Sequence, residues 1–171
     1  SRYPDSRLRP LLLKKLYPYI PYLNNAQTGI LKMFFGYGLE STSSPVYSHM
    51  IRWNNTSRLR NYLSTDLING QASYDPTEDI TARLPENFNS WSHLAKAQWL
   101  EIQFFMSGYL LSSQGDRMAM ANSVEGRYPF LDHRIMELCA SLPDQYKLNG
   151  LTEKHLLKKI MKQKIPESIV N

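Results

Sequence analysis

Cysteine is all but missing from this chain: Cys139 is the only one. No disulfide can close within it, and a reducing compartment, the cytoplasm, is the natural setting. No run of 18 or more apolar residues occurs, so no helix of this sequence is expected to cross a membrane. The opening residues do not read as a secretory leader. A glycine-rich phosphate loop, a nucleophile elbow and a C-x-x-C pair are likewise missing. Ser112-Ser113-Gln114-Gly115 comes nearest to a phosphate-cradling turn. The four histidines, His49, His93, His133 and His155, lie too far apart for the usual ligand spacings, and no metal site is expected from them. Internal repeats and low-complexity tracts are absent too.

What remains suits one domain spanning residues 1–171. A chain this long can bury well over half of its unfolded surface, and 42% apolar with 20% charged residues is the balance of a globular protein. The net charge of +5 raises the question of a nucleic-acid partner. The basic residues are spread along the chain, except for Lys154, Lys158, Lys159, Lys162 and Lys164. A solvated helix face accounts for that cluster, so neither nucleic acid nor membrane is expected as a partner. The start at Ser1 without a methionine and the abrupt end at Val170-Asn171 read as a cut from a longer protein.

The apolar pattern is helical nearly throughout. Asp5 or Ser6 can cap a helix carrying Leu8, Leu12 and Leu16, which Pro18 and Pro21 then stop. A short helix around residues 28–37 carries Ile30, Leu31, Phe34 and Phe35. Residues 40–45 form a loop by composition. Thr56 can cap a helix with Leu59, Tyr62 and Leu63. Asp75-Pro76-Thr77-Glu78 is a strong helix start, with Asp75 as acceptor, Pro76 where a missing N–H costs nothing and Glu78 closing a capping box. Residues 92–111 make the longest candidate, and their apolar residues wrap most of the circumference, as in a central, buried helix. Asp132 opens another helix, stapled by Leu131 onto Met136. Ile135, Leu138, Cys139 and Leu142 line one face of it, and Pro143 closes it. A last helix is expected from Thr152, stapled by Leu151 onto Leu156, with Leu157, Ile160 and Met161 facing the core. No strand pair is convincing, and the fold class is all-α.

Residues 115–134, GDRMAMANSVEGRYPFLDHR, carry the most chemistry. Asp116, Arg117, Glu125 and Arg127 sit among Met118, Met120, Val124, Tyr128, Phe130 and Leu131. These apolar neighbours are expected to draw the segment inward, where an unpaired charge costs several kcal/mol. Gly126 permits a positive φ, and Pro129 biases Tyr128 towards extended backbone. Extended backbone puts Glu125 and Arg127 on one side. Two roles fit these groups: pocket residues that touch substrate or nucleotide, or a buried ion-pair network that fixes the loop, with Asp132 spent on capping. The Asp116-Arg117 pair admits the same two roles, and Glu101 reads as a partner for Arg117 or Arg127.

This segment resembles the E-x-R-x-P-F-L-D signature of the asparagine synthetase (glutamine-hydrolysing) family, and its D-R-x-x-M-A stretch is similar too. The likeness continues through HMIRWNNTSRL, AQWLE and YLLSSQ upstream and LP…KL.G.TEKHLLKK downstream. The resemblance implies a helical fragment of an α/β, adenine-nucleotide-binding (PP-loop type) synthetase domain. In such enzymes that domain adenylates aspartate with ATP and Mg²⁺, and ammonia from a glutaminase domain then displaces AMP to give asparagine. Relatives amidate other carboxylates. The family's phosphate loops, S-G-G-x-D-S and S-G-E-G-A-D-E, do not occur in this sequence, nor does its R-x-K segment. Cys139 lies mid-helix and cannot serve as the glutaminase nucleophile. The signature positions that carry over are Asp116, Arg117, Glu125, Arg127, Pro129, Phe130, Leu131 and Asp132, as candidates without an assigned catalytic role. No cofactor is expected on this fragment.

The implied partners are the rest of the synthetase domain and the glutaminase domain. Helix faces meant to cover a nucleotide-binding sheet would be left bare, so a two-fold homodimer through Phe34, Phe35 or the Trp99–Phe105 stretch is expected. The rival reading is a non-catalytic helical interaction module that uses the basic last helix.

Overall fold

A computed structural model describes Gly29 and residues 41–170. The expected helices near Leu8–Leu16 and at residues 28–37, with Phe34 and Phe35, lie outside the described residues, Gly29 excepted. The chain divides into two compact units, Ser1–Trp91 and Ser92–Asn171, and each is taken by itself. The described residues are mostly helical, with one short hairpin as the exception.

In the first unit, residues 41–45 form turns, as their composition suggests, and lead into helix α1, Tyr47–Ser57. Its inward side holds Val46 and His49, both buried, and the His49 ring meets Trp53 one turn on, with centroids 5.4 Å apart. The expected cap at Thr56 is not there. Thr56 lies inside α1 and its hydroxyl donates back to the Arg52 carbonyl at 3.0 Å, the bond that a mid-helix threonine makes when no free N–H faces it. Beyond it, Arg58–Tyr62 is a single 3₁₀ turn rather than a new helix, and Leu59, Tyr62 and Leu63 are exposed. Ser64 caps α2, Thr65–Gly70. The Asp75-Pro76 start behaves as expected: Asp75 accepts from the Thr77 N–H at 2.7 Å and opens α3, Pro76–Ala82. Phe88 is buried against the Trp91 ring.

In the second unit, Ser92 caps α4, His93–Glu101, by accepting from the Ala95 N–H at 3.1 Å. The chain then keeps winding, but as a π-helix over Ile102–Gly115, before returning to α geometry in α5, Asp116–Ala121. The long helix is therefore real, yet only partly buried. Leu100 is fully enclosed, while Ile102, Tyr109 and Leu110 keep large exposed fractions. Residues 122–128 run as a turn and extended loop to a 3₁₀ turn, Pro129–Leu131, and α6, His133–Ser141, follows. Asp132 caps α6 as expected, and Leu142 is extended before Pro143. The α6 face with Ile135, Leu138 and Cys139 is exposed.

The last helix begins later than expected. A short helix α7, Asp144–Lys147, gives way to strands β1, Leu148–Asn149, and β2, Thr152–Glu153, paired antiparallel with Asn149 opposite Thr152. Gly150 turns this hairpin at φ +61°, a conformation that costs glycine nothing. Thr152 is thus spent on strand pairing. Helix α8 runs His155–Met161, and α9, Glu167–Val170, follows. Leu156, Leu157 and Met161 are half-buried, whereas Ile160 is exposed and does not join the core.

Candidate functional site

The signature segment wraps the C-terminal end of the long helix. The helix delivers Asp116, Ala119 and Met120 on α5, and the turn after Ala121 reverses the chain so that residues 123–126 run back beside it. Two hydrogen bonds and one left-handed residue hold the reversal. The Asn122 side-chain amide donates to the Met118 carbonyl at 2.8 Å, the Val124 N–H donates to Ala119 O at 2.9 Å, and Ser123 takes a positive φ of 56°. Between the helix and the returning loop lies an open hollow of about 540 Å³, with Asp116 on one wall and Glu125 on the other.

Glu125 and Arg127 do share one side of an extended stretch: Arg127 Nη2 lies 2.8 Å from Glu125 Oε1. The pair is not buried. Arg127 is 82% and Glu125 74% exposed at the side chain, so the inward burial of this segment does not occur in these units. The reason is local. Met118, Met120, Val124, Tyr128 and Phe130 are themselves exposed, so they bring no low-dielectric shell around the charges. Asp116 and Arg117 are exposed too, and among the described residues neither joins an ion pair. Glu101 is half-buried at the end of α4. Arg127 has its own partner in Glu125.

Asp132 stands apart from the hollow. Its Oδ1 accepts the Arg134 backbone N–H at 2.9 Å and the Arg134 Nε–H at 3.0 Å, while Oδ2 accepts from Nη2 at 2.9 Å. The Arg134 guanidinium first, and the Arg134 backbone N–H second, hold its carboxyl below the usual carboxylate range, and the same contact raises Arg134. Capping and charge pairing account for this aspartate.

Gly126 has a different use from the one expected. Its φ is not positive; the only described glycine with positive φ is Gly150. Instead the Tyr128 ring folds back over it, so a Cβ at position 126 would meet the Tyr128 hydroxyl and lie 2.6 Å from Cζ. The same hydroxyl sits 3.9 Å from where a Cβ of Gly115 would be, bridging the helix end and the loop. The sequence reading did not single out Tyr128 for this role. A signal was present: in extended backbone residues 126 and 128 face one way, and an aromatic two positions from a glycine can cover it.

A nucleotide needs backbone N–H groups gathered around its phosphates. Residues 112–115, the nearest sequence candidate, are wound into the π-helix. The Ser112 hydroxyl is committed to the Gly108 carbonyl at 2.7 Å and the Gln114 amide to the Tyr109 hydroxyl. That stretch is not a phosphate turn, and its side chains are committed within the helix. Among the described residues no group of three or more histidine, cysteine or acidic side chains could hold a metal ion. No helix among them is long and apolar enough to cross a membrane.

Comparison with known proteins bears on this geometry. The family model described as asparagine synthase matches residues 3–171. Asparagine synthetase [glutamine-hydrolyzing] 1 of Bacillus subtilis is 35% identical over 101 residues, covering 57% of this chain and 16% of that protein. Amidase chyE of Penicillium rubens is 34% identical over 101 residues, or 55% of this chain and 15% of the relative. A putative asparagine synthetase [glutamine-hydrolyzing] of Mycobacterium tuberculosis is 28% identical over 93 residues, with 54% and 14% covered. The chain thus spans only about a sixth of the length of the curated relatives it matches. No solved structure matches it.

Proposed function

This chain belongs to the asparagine synthase family, and from that premise we propose that it is a helical part of the synthetase domain of a glutamine-dependent asparagine synthetase. The whole enzyme would convert aspartate, ATP and glutamine-derived ammonia to asparagine, AMP and pyrophosphate through a β-aspartyl-AMP intermediate. The observation that carries this reading is the family match over residues 3–171, which includes the complete Glu125–Asp132 signature. In this reading ATP and Mg²⁺ are held by segments other than this one, since the S-G-G-x-D-S and S-G-E-G-A-D-E strings do not occur in its sequence. The partners in this reading are the remainder of the synthetase domain and the glutaminase domain, in the cytoplasm, where a single cysteine stays reduced.

Within such an enzyme Asp116, Arg117 and the exposed Glu125–Arg127 pair are the signature side chains open to a substrate or a neighbouring segment. Asp132 is assigned to the cap of α6. The amidases among the relatives favour a second reading of the acceptor, a carboxylate other than that of aspartate.

The test of the reaction is direct. The full-length gene product, given aspartate, ATP and glutamine, should form asparagine and AMP in equal amounts. AMP released only with a different carboxylate would select the second reading, and no AMP with any carboxylate would sink both. The isolated 171-residue chain should neither form asparagine nor hydrolyse ATP. Calorimetric titration with Mg·ATP should give no saturable heat at sub-millimolar concentrations, and tight binding would overturn this division of labour.

A further inference from the structure

The winding of residues 102–115 is not what their composition asks for. Gln103, Met106, Leu110 and Leu111 are good α-helix formers, no proline interrupts them, and π geometry is rare beyond a single turn. Yet the segment is π-wound for 14 residues, and the ladder persists to its end, where the Asp116 N–H donates to the Leu111 carbonyl five residues back.

Side chains hold that register. Within the segment the Gln114 amide donates to the Tyr109 hydroxyl at 2.5 Å, and at its entry the ring of Trp99, on the last turn of α4, meets that of Phe104 edge-on with centroids 6.2 Å apart. Both pairs are five residues apart. On an α-helix of 3.6 residues per turn such residues stand roughly 140° apart around the axis and cannot touch. The Phe105–Tyr109 contact, four apart, fits either winding and decides nothing. The hydroxyls of Ser107 and Ser112 donate to the carbonyls of Gln103 and Gly108, a bond that Thr56 also makes within α1, so it too fits either winding.

The consequence reaches the hollow. A π ladder winds roughly one residue more into each turn than an α ladder, so over this segment the two registers differ by more than about half a turn. Rewinding to α would carry Asp116, Ala119 and Met120 around the helix and away from the loop that returns past Glu125. We propose that residues 102–115 are a two-register element, held π-wound by the Tyr109–Gln114 and Trp99–Phe104 pairs, whose conversion to α-helix dismantles the hollow between Asp116 and Glu125. This inference does not depend on the family reading.

Two spin labels on the exposed positions 98 and 121, placed in a Cys139→Ser background, measure the winding by their separation. A continuous α-helix between these positions would span about 34 Å at 1.5 Å per residue. The π-wound chain should read several ångströms shorter. Tyr109→Phe and Gln114→Ala, each changing an exposed side chain, should shift the distribution towards the α value. An α-helical separation in the unmodified background overturns the proposal without any reliance on the variants. A short separation that neither variant lengthens overturns the assignment of Tyr109 and Gln114 as the lock.

Discussion

Replacing Arg127 by alanine distinguishes an exposed ion pair from a buried one, and the two differ several-fold in magnitude. Were the Glu125–Arg127 pair enclosed by apolar side chains, the substitution would strand a carboxylate in low dielectric and cost about 3–5 kcal/mol. With side chains 82% and 74% exposed, the orphaned carboxylate is hydrated instead. The 2.8 Å contact is then an ordinary surface pair worth roughly 0–1 kcal/mol, screened by salt. A urea melt of the 171-residue chain reads the difference. With a denaturant slope on the order of 2 kcal/mol per molar, the exposed pair predicts a midpoint shift below about 0.5 M and the buried pair one above about 1.5 M. A double-mutant cycle with Glu125→Ala should return a coupling of less than about 1 kcal/mol that falls further in added salt. A shift beyond 1.5 M, insensitive to salt, would refute the reasoning. A small shift in stability joined to a large loss of activity in the full-length enzyme would place Arg127 among the groups that meet substrate or a neighbouring segment.

Two other expectations follow. Asp132 is held below the usual carboxylate range by Arg134, so its contribution to folding is complete above the unfolded-state pKa of about 3.9 and is lost as pH falls through the lower folded value. Asp132→Asn keeps a capping side chain but cannot titrate, so the stability gap between wild type and variant should narrow below pH 4, and a gap constant from pH 6 to 2 would remove Asp132 from the account of α6. We also propose self-association through exposed apolar side chains. The described exposure gathers on Met118, Met120, Val124 and Phe130 more than on the half-buried Trp99, Phe104 and Phe105, so sedimentation should show a concentration-dependent dimer that Phe130→Ser weakens. A monomer at every concentration would exclude it.

Local signals were legible in the sequence. The caps at Asp75 and Asp132 need only a short polar side chain and the next turn of backbone, so the starts of α3 and α6 stand where residue type places them, and the long helix starts at the expected position with Ser92 as its cap. The stop before Pro143 follows from sterics between adjacent residues. Family membership was equally legible, since it rests on the order of residues from Asp116 to Asp132. Thr56 and Thr152 misled because a hydroxyl that can cap a helix can also bond back within one or sit in a strand, and only the neighbouring turns decide which.

The sequence by itself determined the helical class, the family and those helix starts that a short polar cap fixes locally, at Asp75 and Asp132. Tertiary structure decided the rest. Charge burial depends on which surfaces close over Glu125 and Arg127, and a string of apolar neighbours does not say whether they face the charges or the solvent. The π winding of residues 102–115 depends on side-chain pairs five positions apart, a spacing that carries no weight in a pattern read at 3.6 residues per turn. The packing of Tyr128 over Gly126, and the hollow it borders, exist only once the loop has turned back along the helix. Those features come from non-local geometry, where the free energy of a contact belongs to the pair and not to either residue.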